Sequence, residues 1–157
     1  MEIRPATVDD VPEILRLIRG LAEYEKLDHE VIATEERLRH SLFGERPAAE
    51  AVLGWQEGRA VAFAVFFHNY STFRACSGLY LEDLFLEPAQ RGRGYGKALL
   101  LHLARLALAR GCERMEWSVL DWNTPAIEFY RGLGAQALDD WSIFRLSREA
   151  LQEVTKP

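Results

Sequence analysis

The segment Glu87 to Leu100, EPAQRGRGYGKALL, sets Gly92, Gly94 and Gly96 at alternate positions and threads Arg91, Arg93 and Lys97 among them. A glycine-rich turn opening into a helix gathers unpaired main-chain N–H groups at the positive end of the helix dipole. Its natural guest is an anion, phosphate above all. Spacing removes two nucleotide loops from consideration. A Walker A loop needs GxxxxGK[ST], whereas the position five before Gly96 is Arg91 and Ala98 follows Lys97. The dinucleotide fingerprint GxGxxG fails too, because the glycines read GxGxG and the strands before them look like an antiparallel meander. A second polar feature lies just upstream, where Glu82 and Asp83 interrupt the apolar strand LYLEDLFLEP. Neighbouring strand residues point to opposite faces, so these acids are expected to do different work.

The elements that must position these groups follow from periodicity. Glu2 to Pro5 reads as a short first strand. Thr7, Asp9 and Asp10 then supply N-cap oxygens and first-turn negative charge for a helix with Val11, Ile14, Leu15, Ile18 and Leu21 on one face. A second helix is expected from Thr34 to Gly44. AEAVLGWQEGRAVAFAVFFHNY reads as two strands around a Glu57–Gly58 turn, an antiparallel hairpin. The acidic strand and the glycine loop come next. After them a helix through Leu99, Leu100, Leu103, Leu106 and Ala107 is expected to end at Gly111, followed by the strand RMEWSVL. A short helix over TPAIEFYRGLG and two final strands, around Ala135 to Leu138 and Ile143 to Leu146, complete the order β α α β β β α β α β β.

A chain of 157 residues, 48% hydrophobic, is long enough for one sizeable core and too short for two, so residues 1–157 are expected to form a single domain. The net charge of −5 opposes nucleic-acid binding and favours cations; an amine suits this protein better than a polyanion. No uncharged apolar stretch approaches the roughly 20 residues that span a bilayer, and residues 1 to 5 hold no signal-like apolar run, so a cytoplasmic protein with no membrane partner is expected. Cys76 and Cys112 stand in no CxxC arrangement and read as free thiols. His29, His40, His68 and His102 share no metal-ligand spacing, and no metal site is expected.

Arg91-Gly92-Arg93-Gly94-Tyr95-Gly96 fits R-x-x-G-x-G between a strand and a long helix, and so resembles the pyrophosphate-binding motif of the GNAT superfamily of acyl-CoA-dependent N-acyltransferases. The resemblance extends along nearly the whole chain and in the family's order, through IRPAT, ILRLIRGLAEYEKL, LYLEDLFLEP and VLDWNTPAIEFYRGLGA. These blocks are similar to the diamine (spermidine/spermine) N-acetyltransferase branch, and AEYEKL, YST and VLDWN to its thialysine acetyltransferase relatives. The match thins across residues 45 to 60 and after Leu138, where the family pattern has extra residues.

What this resemblance implies is an α/β fold of the GNAT type: a mixed, largely antiparallel sheet whose central strands splay apart, flanked by helices. It implies acetyl-CoA as cofactor, a small cationic amine as acceptor, and a homodimer. Leu84, Phe85 and Leu86 would pair with pantetheine as if it were another strand. Gly92, Gly94, Tyr95, Gly96 and Lys97 would hold the phosphates, with charge added by Arg91 or Arg93. Asn123 and Ala126 would contact the cofactor, and Tyr130 would protonate the departing thiolate. Glu82 would bind the cationic amine and relay its proton, with Asp83 as a second candidate. Tyr24, Glu25 and Trp122 would complete the acceptor site. An oxyanion donor is expected in the main chain near Phe85, where a β-bulge would be a suitable device. Two other readings share much of this pattern, a protein N-acetyltransferase and a non-catalytic acyl-CoA-binding module.

Overall fold

The computed structural model describes residues 1–156, and the chain divides into two compact units, Met1–Ser118 and a second that begins at Val119. The first unit carries strands β1 (Glu2–Pro5), β2 (Glu50–Gln56), β3 (Arg59–Ser71), β4 (Cys76–Leu86) and β5 (Met115–Trp117) with helices α1 (Val11–Glu25), α2 (Glu35–Phe43) and α3 (Tyr95–Ala109). The strands form one sheet in sequence order; the first four are antiparallel and β5 lies parallel to β4.

Each helix obeys the signals in its sequence. The apolar face of α1 buries Val11, Ile14 and Leu17 completely, and Ile14 and Leu17 share a core with Leu53, Phe63 and Phe85 of the sheet. That helix stops where Lys26 turns left-handed at φ 61° and its N–H bonds back to Glu23. Thr34 caps α2, its hydroxyl accepting from the Arg37 amide at 3.2 Å. At the β2–β3 turn Glu57 and Gly58 both take positive φ, 50° and 77°, as a two-residue hairpin requires.

Regular pairing breaks down at two places along β4. Val65 of β3 faces Asp83, yet the next residue, Phe66, faces Leu81, so Glu82 is a surplus residue in β4. The expected bulge therefore exists, three residues upstream of Phe85. Its presence breaks the alternation that would have sent Glu82 and Asp83 to opposite faces. On the other edge, β4 pairs with β5 only through Leu79, Tyr80 and Leu81. The expected strand Arg114 to Leu120 is thus shortened to Met115–Trp117, and Glu82 to Leu86 continue past it. A bulge sharpens local twist, and here it begins where the parallel pairing ends.

In the second unit α4 (Thr124–Gly132) carries Pro125 at its start, and Gly134 follows it at φ 90°. The two final strands expected around Ala135 to Leu138 and Ile143 to Leu146 are not formed; these residues have no regular structure, and α5 (Arg148–Val154) follows them. Period-two patterning marks a segment able to pair, but a strand exists only where a neighbour takes its hydrogen bonds. Ser147 caps α5 through a bond from the Ala150 amide at 3.2 Å.

Candidate active site

The glycine loop ends on the first turn of α3. Gly94 is the N-cap at φ 79°, Gly92 sits at φ 75°, and a methyl group at either position would meet no atom within 4 Å. Space is therefore not what requires glycine there; the left-handed backbone is. The first intrahelical bond runs from the Ala98 amide to Gly94 at 3.0 Å. Tyr95, Gly96 and Lys97 precede that donor, no acidic residue lies in the first turn, and no side chain caps it. Arg93 and Lys97 are exposed beside it. Arg91 is placed differently: its guanidinium lies 4.2 Å from the centre of the Tyr24 ring and 5.9 Å from that of Phe85. The structure thus joins one expected phosphate contact to one expected acceptor contact.

Behind the loop, Leu84, Phe85 and Leu86 pair with Ala64, Phe63 and Ala62 of β3. Phe85 and Leu86 are buried and Leu84 is half-buried, so these residues are core on one side while their other backbone edge lies past the end of β5. An open strand edge of this kind presents unpaired amide groups to an extended ligand.

The acids at the bulge form a cluster with the end of α1. Burial, then the charges of Glu82 and Glu25, push the Asp83 carboxyl up to about 6. Glu25 is also raised, by burial. Glu82 is exposed. The charges of Glu82 and Glu25 thus add to burial in raising the cost of ionising Asp83, and a bound cation relieves it.

Sequence reasoning missed the support of this site. One Oε of Glu87 accepts from Arg16 of α1 and, at 2.7 Å, from Arg59 of β3, while Arg16 also bonds the Ala60 carbonyl. This clamp fixes the end of β4 where the glycine loop departs. Beside it an open groove of about 490 Å³ is lined by Arg16, Gly20, Tyr24, Phe85, Glu87 and Pro88. A Cβ at Gly20 would lie 3.1 Å from the Phe85 ring, so the missing side chain lets α1 close on the strand. The only sequence signal was an isolated glycine in a helical pattern.

In the second unit Asn123 is the N-cap of α4, 8% exposed, and its carbonyl accepts from the amides of Ala126 and Ile127 at 3.0 Å. Asn123, Ala126 and Tyr130 are spaced to share one side of the helix. The half-buried Tyr130 ring lies 5.3 Å from that of Phe129. Trp122 is 52% exposed.

An antiparallel sheet with one parallel edge strand, a bulged acidic strand and a glycine loop opening a helix together define an acyltransferase-type scaffold, and comparison with known proteins agrees. The model of the "Acetyltransferase (GNAT) family" matches residues 12–135, and the chain belongs to that family. Thialysine N-epsilon-acetyltransferase of Bos taurus is 39% identical over 163 residues, covering 97% of this chain and 95% of the relative. L-ornithine N5-acetyltransferase NATA1 of Arabidopsis thaliana is 33% identical, covering 98% of this chain and 87% of its own. Among solved structures, an integron cassette protein from the mobile metagenome of V. cholerae superposes with a TM-score of 0.84 at 23% identity, covering 99% of this chain and 98% of that one. Among the described residues no helix is long and apolar enough to cross a membrane, and no group of three or more His, Cys, Asp or Glu could hold a metal ion.

Proposed function

We propose that this enzyme transfers acetyl from acetyl-CoA to a primary amine of a small cationic metabolite, a diamine, a polyamine or a lysine-like amino acid. The observation that carries the reading is the acidic cluster of Glu82 and Asp83, at the bulge of the strand that leads into the glycine loop, with Glu25 at the end of α1. It supplies a cation site and an anion site on one chain segment. The named activities of the similar thialysine and ornithine acetyltransferases agree with it. The family match covers residues 12–135, which supports the reading of the chain as one acetyltransferase domain. The same resemblance supports a homodimer.

Acetyl-CoA fits the residues present. The left-handed glycines and uncapped first turn of α3 suit a diphosphate, with Arg93 and Lys97 adding charge, and the edge of Leu84 to Leu86 suits the amides of pantetheine. Asn123 and Ala126 are assigned to the cofactor by family match. When bound, the cofactor supplies an acetyl group activated as a thioester. The chain's own residues do the rest. Glu82 and Glu25 hold the ammonium form of the acceptor, and family resemblance assigns Tyr24 and Trp122 to the same substrate. An alkylammonium of pKa about 10.4 must lose a proton before it attacks. A carboxyl held at about 6 rather than 3.8 is a better proton acceptor for that step, directly or through water, which supports giving this role to Asp83. A main-chain N–H at the bulge is the assigned donor to the carbonyl oxygen. Tyr130 supplies the proton for the leaving sulfur.

A thiol-release assay with acetyl-CoA across diamines, polyamines, lysine analogues and peptides tests the reading. Release with small amines supports it. Release with peptides alone would make this a protein acetyltransferase, and cofactor binding without release for any amine would make it a binding module. Two variants test individual assignments. Glu82→Gln should raise the amine KM about tenfold and the acetyl-CoA KM less than twofold, as loss of one partly exposed charge contact would; the opposite split, read from initial rates, would move Glu82 to the cofactor. Gly94→Val forces a β-branched residue to φ 79°, so the loop must distort, and the acetyl-CoA KM should rise at least about tenfold. Unchanged cofactor affinity by calorimetry would remove the loop from the cofactor site.

A further inference from the structure

The acidic cluster accounts for the reacting end of an amine and leaves its other end without a site. Both acceptor classes named above carry a second ammonium group, and the sheet offers a surface for one. Phe63 and Val65 of β3 turn toward the α1 core, and Phe67 follows them in alternation. The bulge shifts β4 so that Tyr80, not Leu81, faces Phe67, and the two rings lie 5.1 Å apart in a tilted pair. Were Glu82 paired in register with Phe66 instead of bulged, Leu81 would face Phe67 and Tyr80 would point away. Both rings are half-buried, and the Tyr80 hydroxyl is tied to Ser118 at 2.9 Å, which fixes the ring. Two β3 positions separate the Val65–Asp83 pair from the Phe67–Tyr80 pair, a distance of roughly 7 Å along the strand. That is the span of a short alkyl diamine. The bulge absorbs Glu82, so Asp83 and Tyr80, opposite Val65 and Phe67, stay on one side of the sheet.

Resting on the acetyltransferase reading, we propose that the Phe67–Tyr80 pair is a specificity site, binding the distal ammonium group and carbon chain of the acceptor while the carboxylates at the bulge hold the reacting amine. Aromatic faces attract alkylammonium cations and also cover methylene groups. Neither Glu116 of β5 nor Arg114 just before it competes for this role: Arg114 donates to Glu116 at 2.9 Å, and Glu116 also accepts from Asn69 at 2.6 Å.

The test compares Tyr80→Leu with Tyr80→Phe on two acceptors, 1,5-diaminopentane and n-pentylamine, which differ only in the distal ammonium. Tyr80→Leu should raise the KM of the diamine roughly fivefold, as loss of one partly exposed cation–π contact would. The KM values of n-pentylamine and acetyl-CoA, and kcat, should each stay within about twofold. Tyr80→Phe keeps the ring and should restore the diamine KM. Equal shifts for both amines, or no shift, would overturn the proposal, because a merely structural residue cannot distinguish a distal charge. If Tyr80→Leu does not fold, Phe67→Leu must give the same split, and its failure to do so would count equally against the site. If the wild-type protein acetylates neither amine, the proposed reaction fails instead. Calorimetric binding of 1,5-diaminopentane to wild type and Tyr80→Phe but about fivefold weaker binding to Phe67→Leu would still uphold the aromatic site; equal binding by all three would sink it.

Discussion

Replacing Tyr130 by phenylalanine should lower turnover by roughly two orders of magnitude or more while leaving acetyl-CoA affinity within about twofold, the range expected when a positioned proton donor is removed. A thiolate leaves acyl carbon more easily than an amine does, yet a proton or a donor hydrogen bond still speeds its departure. The phenol of Tyr130 is the group the family match assigns. Phenylalanine keeps the ring and its contact with Phe129 at 5.3 Å, so helix α4 should be undisturbed. The deletion is therefore of one hydroxyl. Pre-steady-state rates of thiol release, with cofactor affinity from calorimetry, separate chemistry from binding. Equal turnover in the two proteins would take Tyr130 out of the mechanism.

The second large effect is expected at Asp83. Burial and the charges of Glu82 and Glu25 hold its carboxyl at about 6, above the ordinary 3.8. In the free enzyme kcat/KM should therefore rise through an acid limb with a midpoint near 6, as the proton acceptor ionises. Asp83→Asn should remove that limb and lower turnover about a hundredfold. The same shift has a stability consequence of opposite sign. A folded-state pKa above the unfolded one means that the folded protein binds the proton more tightly; the contribution to stability is full below pH 3.8 and lost as pH rises through about 6. At pH 7.5 the ionised Asp83 is a cost to the fold, so Asp83→Asn should melt about 5 °C higher than wild type there. The gap should close as pH falls toward 4. A variant that loses both activity and stability at pH 7.5 would show that Asp83 is structural rather than a strained functional acid.

Much of the scaffold was legible because its signals are local. The apolar spacing from Val11 to Leu21, the Thr34 cap, the Glu57–Gly58 turn and the Pro125 start of α4 each act over a few residues, and each element appears where its signal lies. The two closing strands did not follow the same rule. Ala135 to Leu146 has strand-like patterning, but pairing is a property of two segments and the described sheet gives it no partner. The site divides in the same way. R-x-x-G-x-G names an anion loop from six residues, since main-chain amides and glycine's freedom at positive φ are fixed by sequence alone.

The individual roles of the acids and arginines were not fixed in that way. Alternation put Glu82 and Asp83 on opposite faces and the family resemblance favoured Glu82; a single surplus residue between Leu81 and Asp83 broke that alternation, and burial raised the Asp83 carboxyl to about 6. Arg91 reads as a phosphate ligand in the motif, yet its guanidinium rests on Tyr24, sixty-seven positions away in sequence. The amino-acid sequence by itself determined the family, the glycine turn and the helices around it, because those depend on near neighbours along the chain. Only the tertiary structure decided which carboxylate is buried, which strand edge stays open and which rings face the acids, because burial, register and electric field depend on residues brought together from distant parts of the chain.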